Sequence, residues 1–358
     1  MTDPLATLAE TVRAAAAEGR RLRIRGGGTK DFYGQSLEGE VLDTRGYRGI
    51  VDYDPTELVI TARAGTPLAE VEATLAERGQ MLAFEPPRFP WSGSGAATIG
   101  GAVAAGLAGP RRAAAGAVRD FVLGVRLLDG RGQDLAFGGR VMKNVAGYDV
   151  SRAMAGALGT LGVIVEVSLK VLPVPVAETT LRFELPEARA LAAANEWAGR
   201  PLPISAAAYR EGEFALRLSG AAAAVRAARE KLGGEPLEPE RASRFWAGLR
   251  DQTDPFFAGE LALWRVSLPS VAPPLGLPGR ALVEWGGALR WLRTDADAPT
   301  VRAAAERARG HATLFRGGDK AVGVFHPLAP AIERIHRALK AEFDPHGILN
   351  RGRMYAGW

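Results

Sequence analysis

Sixteen of the 44 glycines in this 358-residue chain fall between Gly93 and Gly162. Glycine reaches such density where backbone turns tightly or approaches something closely, so this stretch constrains the fold more than any other feature. Its first part, Ser92-Gly-Ser-Gly-Ala-Ala-Thr-Ile-Gly-Gly-Ala-Val-Ala-Ala-Gly106, joins a glycine loop to a short helix start. Ile99, Val103 and Leu107 recur at i, i+4 and i+8, giving one apolar face and leaving glycine and alanine on the other. The bare face either admits a large planar or phosphorylated ligand or packs closely on another helix. The last part, Gly156-Ala-Leu-Gly159-Thr-Leu-Gly162-Val-Ile164, is a glycine-spaced turn before the strongest strand pattern. It is either a ligand-facing turn or a plain strand entry.

A separate run, Gly26-Gly27-Gly28-Thr29-Lys30, directly follows the alternating Leu22-Arg23-Ile24-Arg25. Successive N–H groups in such a turn can converge on one anion, and Arg25 and Lys30 add positive charge. Alone, the run equally describes a flexible turn. It is neither a Rossmann fingerprint nor a phosphate-binding P-loop, since no Gly-x-Gly-x-x-Gly occurs and no Gly-Lys-Ser/Thr follows.

Around these segments the pattern predicts strands at Arg21–Arg25, Val41–Asp43 and Leu58–Ala62, and a helix at Thr66–Arg78. Val118–Leu128 reads as a strand that turns at Asp129-Gly130 and returns through Gln133–Phe137. Leu161–Leu172 is the strongest strand, and Pro173-Val-Pro175 ends it. Beyond lie strands near Glu178–Glu184, Ala206–Glu211, Phe214–Leu218, Arg280–Trp285 and Leu289–Thr294. Helices are expected at Pro186–Ala198, Ala221–Leu232, Pro299–Arg309 and Pro330–Ala341. The fold class is α+β. The expected divisions are 1–176 in two lobes (about 1–85 and 86–176), 177–311, and a returning segment 312–358.

Composition removes several classes. With no cysteine, the chain holds no disulfide, thiolate zinc site, cysteine nucleophile or iron–sulfur cluster of its own. The net charge of +5 comes from arginines interleaved with acids, so no nucleic-acid surface is expected. Met1–Gly19 lacks the basic start and cleavage site of a secretory signal and reads as an amphipathic helix. The uncharged stretch Phe89–Pro110 holds too few bulky apolar residues for a transmembrane segment. The location this implies is the cytoplasm, or the inner face of a membrane reached through partners.

Six motifs occur in order: Arg25-Gly-Gly-Gly-Thr29, Ala97-Thr-Ile-Gly-Gly101, Arg119-Asp-Phe-Val-Leu-Gly-Val125, Lys143-Asn-Val-Ala-Gly-Tyr-Asp149, Gly159-Thr-Leu-Gly-Val-Ile164 and Phe343-Asp-Pro-His-Gly-Ile-Leu-Asn-Arg-Gly-Arg353. Together they resemble the vanillyl-alcohol-oxidase type of FAD-binding flavoproteins, over Arg21–Val174 and the last forty or so residues. Within that superfamily the run Gly139–Val150 and Gly310–Arg316 make the chain similar to the smaller FAD-binding subunits of bacterial glycolate oxidases. The resemblance implies a two-lobed FAD-binding domain, an inserted α+β cap domain, and a C-terminal segment returning to the flavin. It implies that Arg25, Gly26, Gly27, Gly28, Thr29 and Lys30 wrap the pyrophosphate. Pro86, Pro87, Thr98, Ile99, Gly100, Gly101, Ala102, Ala105 and Gly106 would line the flavin and ribityl chain, and Gly159, Gly162, Val163 and Ile164 would meet the adenosine half, with Asn350 adding a contact from the C-terminal motif. The implied partners are a larger FAD-binding subunit, an iron–sulfur subunit and a small 2-hydroxy acid.

Two departures matter. Ala104-Ala105 stand where many relatives carry polar residues, which shifts cofactor contact to the backbone. No histidine precedes Ala177, so the FAD is expected to be non-covalent. Oxidising a 2-hydroxy acid needs a cation for the carboxylate and a base for the hydroxyl proton. Lys143 and Arg353 are the candidate cations, and Tyr148 and His326 the candidate hydrogen-bonding or base groups. Tyr148 equally suits a packed aromatic, and His326, beside Pro327, a loop histidine. The four histidines do not cluster, and no metal site is expected.

Overall fold

The computed structural model describes residues 3–93, 95–139 and 148–358. Its contacts divide the chain into two units: Met1–Leu107, Ala117–Pro173 and Pro327–Trp358 form the first, and Ala108–Gly116 with Val174–His326 the second.

The first unit opens with the helix Pro4–Glu18, with proline in its first turn, the Asp3 carboxylate accepting from Leu5 N and Gly19 closing it in the left-handed region. Leu5, Leu8, Val12 and Ala15 share one face and pack on Leu22, Leu42, Val163 and Leu349. The strand Leu22–Arg25 pairs in parallel with Glu40–Asp43 and, through Leu22, bridges Leu349 of the C-terminal segment. Five antiparallel strands make the main sheet, in the order Ile50–Asp54, Val59–Arg63, Val163–Lys170, Val122–Leu128, Asp134–Gly138. Val163–Lys170, rich in branched side chains, sits at its centre and is buried except at Glu166 and Lys170.

Two local expectations change. Val118–Phe121 is a helical turn ahead of the strand, because the Asp120 carboxylate accepts from Ala117 N at 2.8 Å while Val118 and Phe121 turn inward. The hairpin loop is also longer than an Asp-Gly turn. The buried Asp129 carboxylate takes the N–H groups of Arg131 and Gln133, and the left-handed residue is Gly132. Gly130 is required for a different reason: a Cβ there would lie 2.4 Å from the Asp344 carboxylate.

The second unit is built on an eight-stranded antiparallel sheet, in the order Glu235–Pro236, Ala177–Glu184, Glu213–Gly220, Ile204–Arg210, Arg280–Glu284, Leu289–Thr294, Ala262–Ser267, His311–Arg316. The helices Glu187–Ala198 and Ala222–Leu232 cover part of it, burying Ala190, Ala194, Val225 and Ala228 against Leu181, Leu216 and Leu218. His311–Arg316 is the edge strand of this sheet, so residues 312–316, expected in the C-terminal segment, fold with the second unit. Residues 108–116 also belong there: Trp285 Nε1 donates to Gly109 O at 3.0 Å and the Arg112 guanidinium stacks 4.4 Å from the Trp285 ring. Among the described residues no helix is long and apolar enough to cross a membrane.

Candidate cofactor-binding site

The strand Leu22–Arg25 delivers the loop Gly26–Lys30, which closes where Asp31 N donates to Gly28 O at 3.1 Å. The backbone N–H groups of Gly26, Gly27, Gly28 and Thr29 find no acceptor among the described residues. The two cations read as flanking this loop are engaged elsewhere. Arg25 Nε pairs with Asp31 Oδ2 at 2.7 Å, and Lys30 Nζ lies 5.4 Å from the centre of the Phe89 ring.

The glycines here answer first to packing between loops. A Cβ on Gly27 would lie 1.7 Å from Ala96 O, and one on Gly93 2.8 Å from the Gly28 carbonyl. The two glycine-rich segments therefore meet backbone to backbone, and their composition follows from that contact before any ligand is considered.

The helix Ile99–Ala105 presents its small residues to the space beside this junction. Thr98 caps it, with Oγ1 accepting from Gly101 N at 3.3 Å, and Gly106 ends it with φ of 63°. Its last carbonyls are taken by the next glycine turn, Val103 O by Gly156 N at 3.0 Å and Ala104 O by Leu158 N at 2.8 Å. The cleft so formed encloses about 740 Å³ including its solvent-filled mouth. Its walls are Ile24–Asp31, Thr44, Ala64, Thr98, Gly100, Gly101, Ala104, Ala105, Leu158, Gly159, Gly162, Ile164, Asn350 and Arg353.

The structure thus gathers Arg25 through Lys30, Thr98, Gly100, Gly101, Ala105, Gly159, Gly162, Ile164 and Asn350 around one space. Ile99, Ala102 and Val163 do not reach it: the helical spacing that frees the small face turns Ile99 and Ala102 into the core, and Val163 is buried in the central strand. Gly106 caps the helix against Gly156, and Pro86 and Pro87 are buried away from the cleft walls. Thr44 and Ala64 line the cleft without a sequence signal, being placed by strand pairing, while Ala104 and Leu158 lie in the two glycine-rich runs already singled out.

The C-terminal segment is tied into this wall. Asn350 Oδ1 accepts from Ile24 N at 2.8 Å and Nδ2 donates to Leu158 O at 2.6 Å, so one amide joins the strand feeding the loop to the Gly156–Thr160 turn. Behind it, Lys340 Nζ donates to Asp344 Oδ2 at 2.6 Å, Thr160 O at 2.7 Å and Leu349 O at 2.8 Å. Asp344 also accepts from Ile348 N and Leu349 N. All three ammonium protons are used, as a buried lysine requires, and burial still draws its pKa below the ordinary lysine value.

The structure describes three of the four candidate catalytic residues. Lys143 lies outside the described residues. Tyr148 is 94% exposed. His326 belongs to the second unit, where Nε2 faces Glu306 at 3.2 Å and Nδ1 accepts from Ala312 N at 3.4 Å. Arg353 is a buried part of the cleft wall, with Nη2 donating to Lys30 O at 2.8 Å, and burial lowers its pKa from the usual guanidinium value.

Residues 4–138 match a family described as an FAD binding domain. Among solved structures, alkyldihydroxyacetonephosphate synthase shares the fold with a TM-score of 0.68 at 16% identity, over 96% of this chain and 75% of that one. The family match defines the class, an FAD-binding flavoprotein with FAD as its cofactor, and the fold is α+β as expected. The chain is 51% identical to glycolate oxidase subunit GlcE of Escherichia coli (strain K12), over 98% of its own length and 97% of the relative's. It is 30% identical to glycolate oxidase subunit GlcD of Bacillus subtilis (strain 168), over 37% of this chain and 27% of that one. The chain belongs to the GlcE family of glycolate oxidase subunits.

The cleft suits that cofactor chemically. Four backbone N–H groups without acceptors among the described residues and the Arg353 side chain in the cleft wall suit a pyrophosphate, and the glycine–alanine wall suits a flat ring system.

Proposed function

We propose that this chain is the FAD-binding subunit of a glycolate oxidase complex, acting in the oxidation of glycolate or a similar 2-hydroxy acid. The observation that carries the reading is identity of 51% along nearly the whole of glycolate oxidase subunit GlcE. In this reading Gly26–Thr29 hold the pyrophosphate through backbone N–H groups, Thr98–Ala105 lie along the flavin and ribityl chain, and Gly159–Ile164 meet the adenosine half. The FAD is non-covalent, and when bound it supplies the acceptor for hydride from the substrate Cα. The partners are a larger FAD-binding subunit and an iron–sulfur subunit. The complex works in the cytoplasm, or at the inner face of the membrane reached through its partners.

A second reading makes the chain an assembly subunit whose FAD does not turn over. It is favoured by the engagement of two candidate catalytic groups within the protein, Arg353 with Lys30 O and His326 with Glu306. Anaerobic stopped-flow reduction by glycolate and D-lactate separates the two. Flavin reduced in the complex supports the first, and flavin that stays oxidised both alone and in the complex supports the second. Steady oxygen consumption by the isolated chain with an alcohol would point instead to a stand-alone oxidase.

A further inference from the structure

We infer that Arg353 is the counter-charge of the cofactor's pyrophosphate, carried to the Gly26–Lys30 loop by the C-terminal segment, and that it sets how tightly FAD is held. The inference rests on the FAD reading of the cleft and gives Arg353 a role other than holding a substrate carboxylate.

Arg353 is 8% exposed, yet its Nε–H has no acceptor, and among the described residues no carboxylate forms an ion pair with it. The charged and titratable groups that act on it are Asp31, Arg23 and Tyr33. The Asp31 carboxylate is already taken by Arg25. Arg23 adds a second buried Nε–H without an acceptor. Arg353 is thus bonded to a loop whose Asp31 carboxylate is already paired with Arg25 and whose four backbone N–H groups lack acceptors among the described residues. Arg353 keeps one backbone acceptor, Lys30 O, but no counter-charge among the described residues, and a buried cation without one is destabilising, so an anion in the cleft completes the arrangement.

Buried arginines that serve structure alone look different in this chain. Arg290 donates to the carbonyls of Ala272, Pro273 and Gly287, and Arg293 to those of Phe256, Phe257, Gly259 and Leu261, with Nε used in both. Arg111 has an orphaned Nε–H but holds the Glu178 carboxylate at 2.9 Å. Arg353 has neither a full set of carbonyls nor a carboxylate, and it lines the cleft. Its bond to Lys30 O fixes it one residue from Thr29, on the loop whose N–H groups are unpaired. Because Asn350 and the Lys340–Asp344 pair hold this segment in place, cofactor affinity depends on the docking of the C-terminus.

The test titrates flavin-free full-length chain with FAD at several ionic strengths, comparing wild type with Arg353→Gln and Arg353→Lys. Arg353→Gln should weaken binding at least tenfold and flatten its dependence on salt, because a screened attraction has been removed. Arg353→Lys should bind with intermediate affinity and keep the salt dependence. Unchanged affinity in Arg353→Gln overturns the inference. An equal loss in both variants with wild-type salt dependence also overturns it, because that pattern marks a packing role. Failure of the wild-type chain to bind FAD would instead count against the FAD reading of the cleft.

Discussion

Replacing Lys340 with methionine removes the cation that, among the described residues, pairs with Asp344, whose side chain is fully buried, and strips the donor from Thr160 O and Leu349 O. Breaking a buried pair from one side costs about 3–5 kcal/mol. Asp344 keeps two backbone donors, Ile348 N and Leu349 N, which places the loss toward about 3 kcal/mol, and the two abandoned carbonyls add roughly 1 kcal/mol each. At about 2–4 °C per kcal/mol for a unit of roughly 200 residues, the melting temperature should fall by on the order of 10 °C. The assay is thermal unfolding followed by circular dichroism, repeated in an Asp344→Asn background. There the lysine faces no full charge, and its removal should cost about half as much. A Lys340→Met chain that melts within about 2 °C of wild type, or loses the same in both backgrounds, would refute the view that this pair anchors the C-terminal segment.

Gly27→Glu should abolish FAD retention, because its side chain starts against Ala96 O and would bring a carboxylate to an anion site; the flavin absorbance of the purified protein reports this. Asn350→Ala should cost about 2–4 kcal/mol, since Ile24 N and Leu158 O each lose a partner, and should weaken FAD binding roughly tenfold in a fluorescence titration. Acid precipitation of the holoprotein should release all of its FAD into the supernatant, whereas flavin remaining with the pellet would mean a covalent link.

The parts legible in the sequence were those where one local cause acts. Val163–Lys170 announces itself through branched residues, and the helix Pro4–Glu18 through its cap and apolar spacing. The small-residue face of Ile99–Ala105 was readable for the same reason, although Leu107 lies beyond the Gly106 cap. Illegible features depend on distant partners. Gly130 is needed because of Asp344, and Gly27 because of Ala96, so neither requirement appears in its own neighbourhood. The helix Pro239–Asp251 escaped notice because it buries only Trp246, Gly248, Leu249 and Asp251, too few apolar positions for a clear period. Arg353 was noticed as a cation, but its place beside the glycine loop comes from the return of the C-terminal segment through Leu349 and Asn350.

The central claim is that the cofactor's pyrophosphate rests on the loop between Gly26 and Thr29. A crystal structure of the FAD-loaded chain tests it most directly. The account predicts pyrophosphate oxygens within about 3.2 Å of the backbone nitrogens of that loop. A pyrophosphate bound elsewhere, with these N–H groups left to solvent, would contradict it.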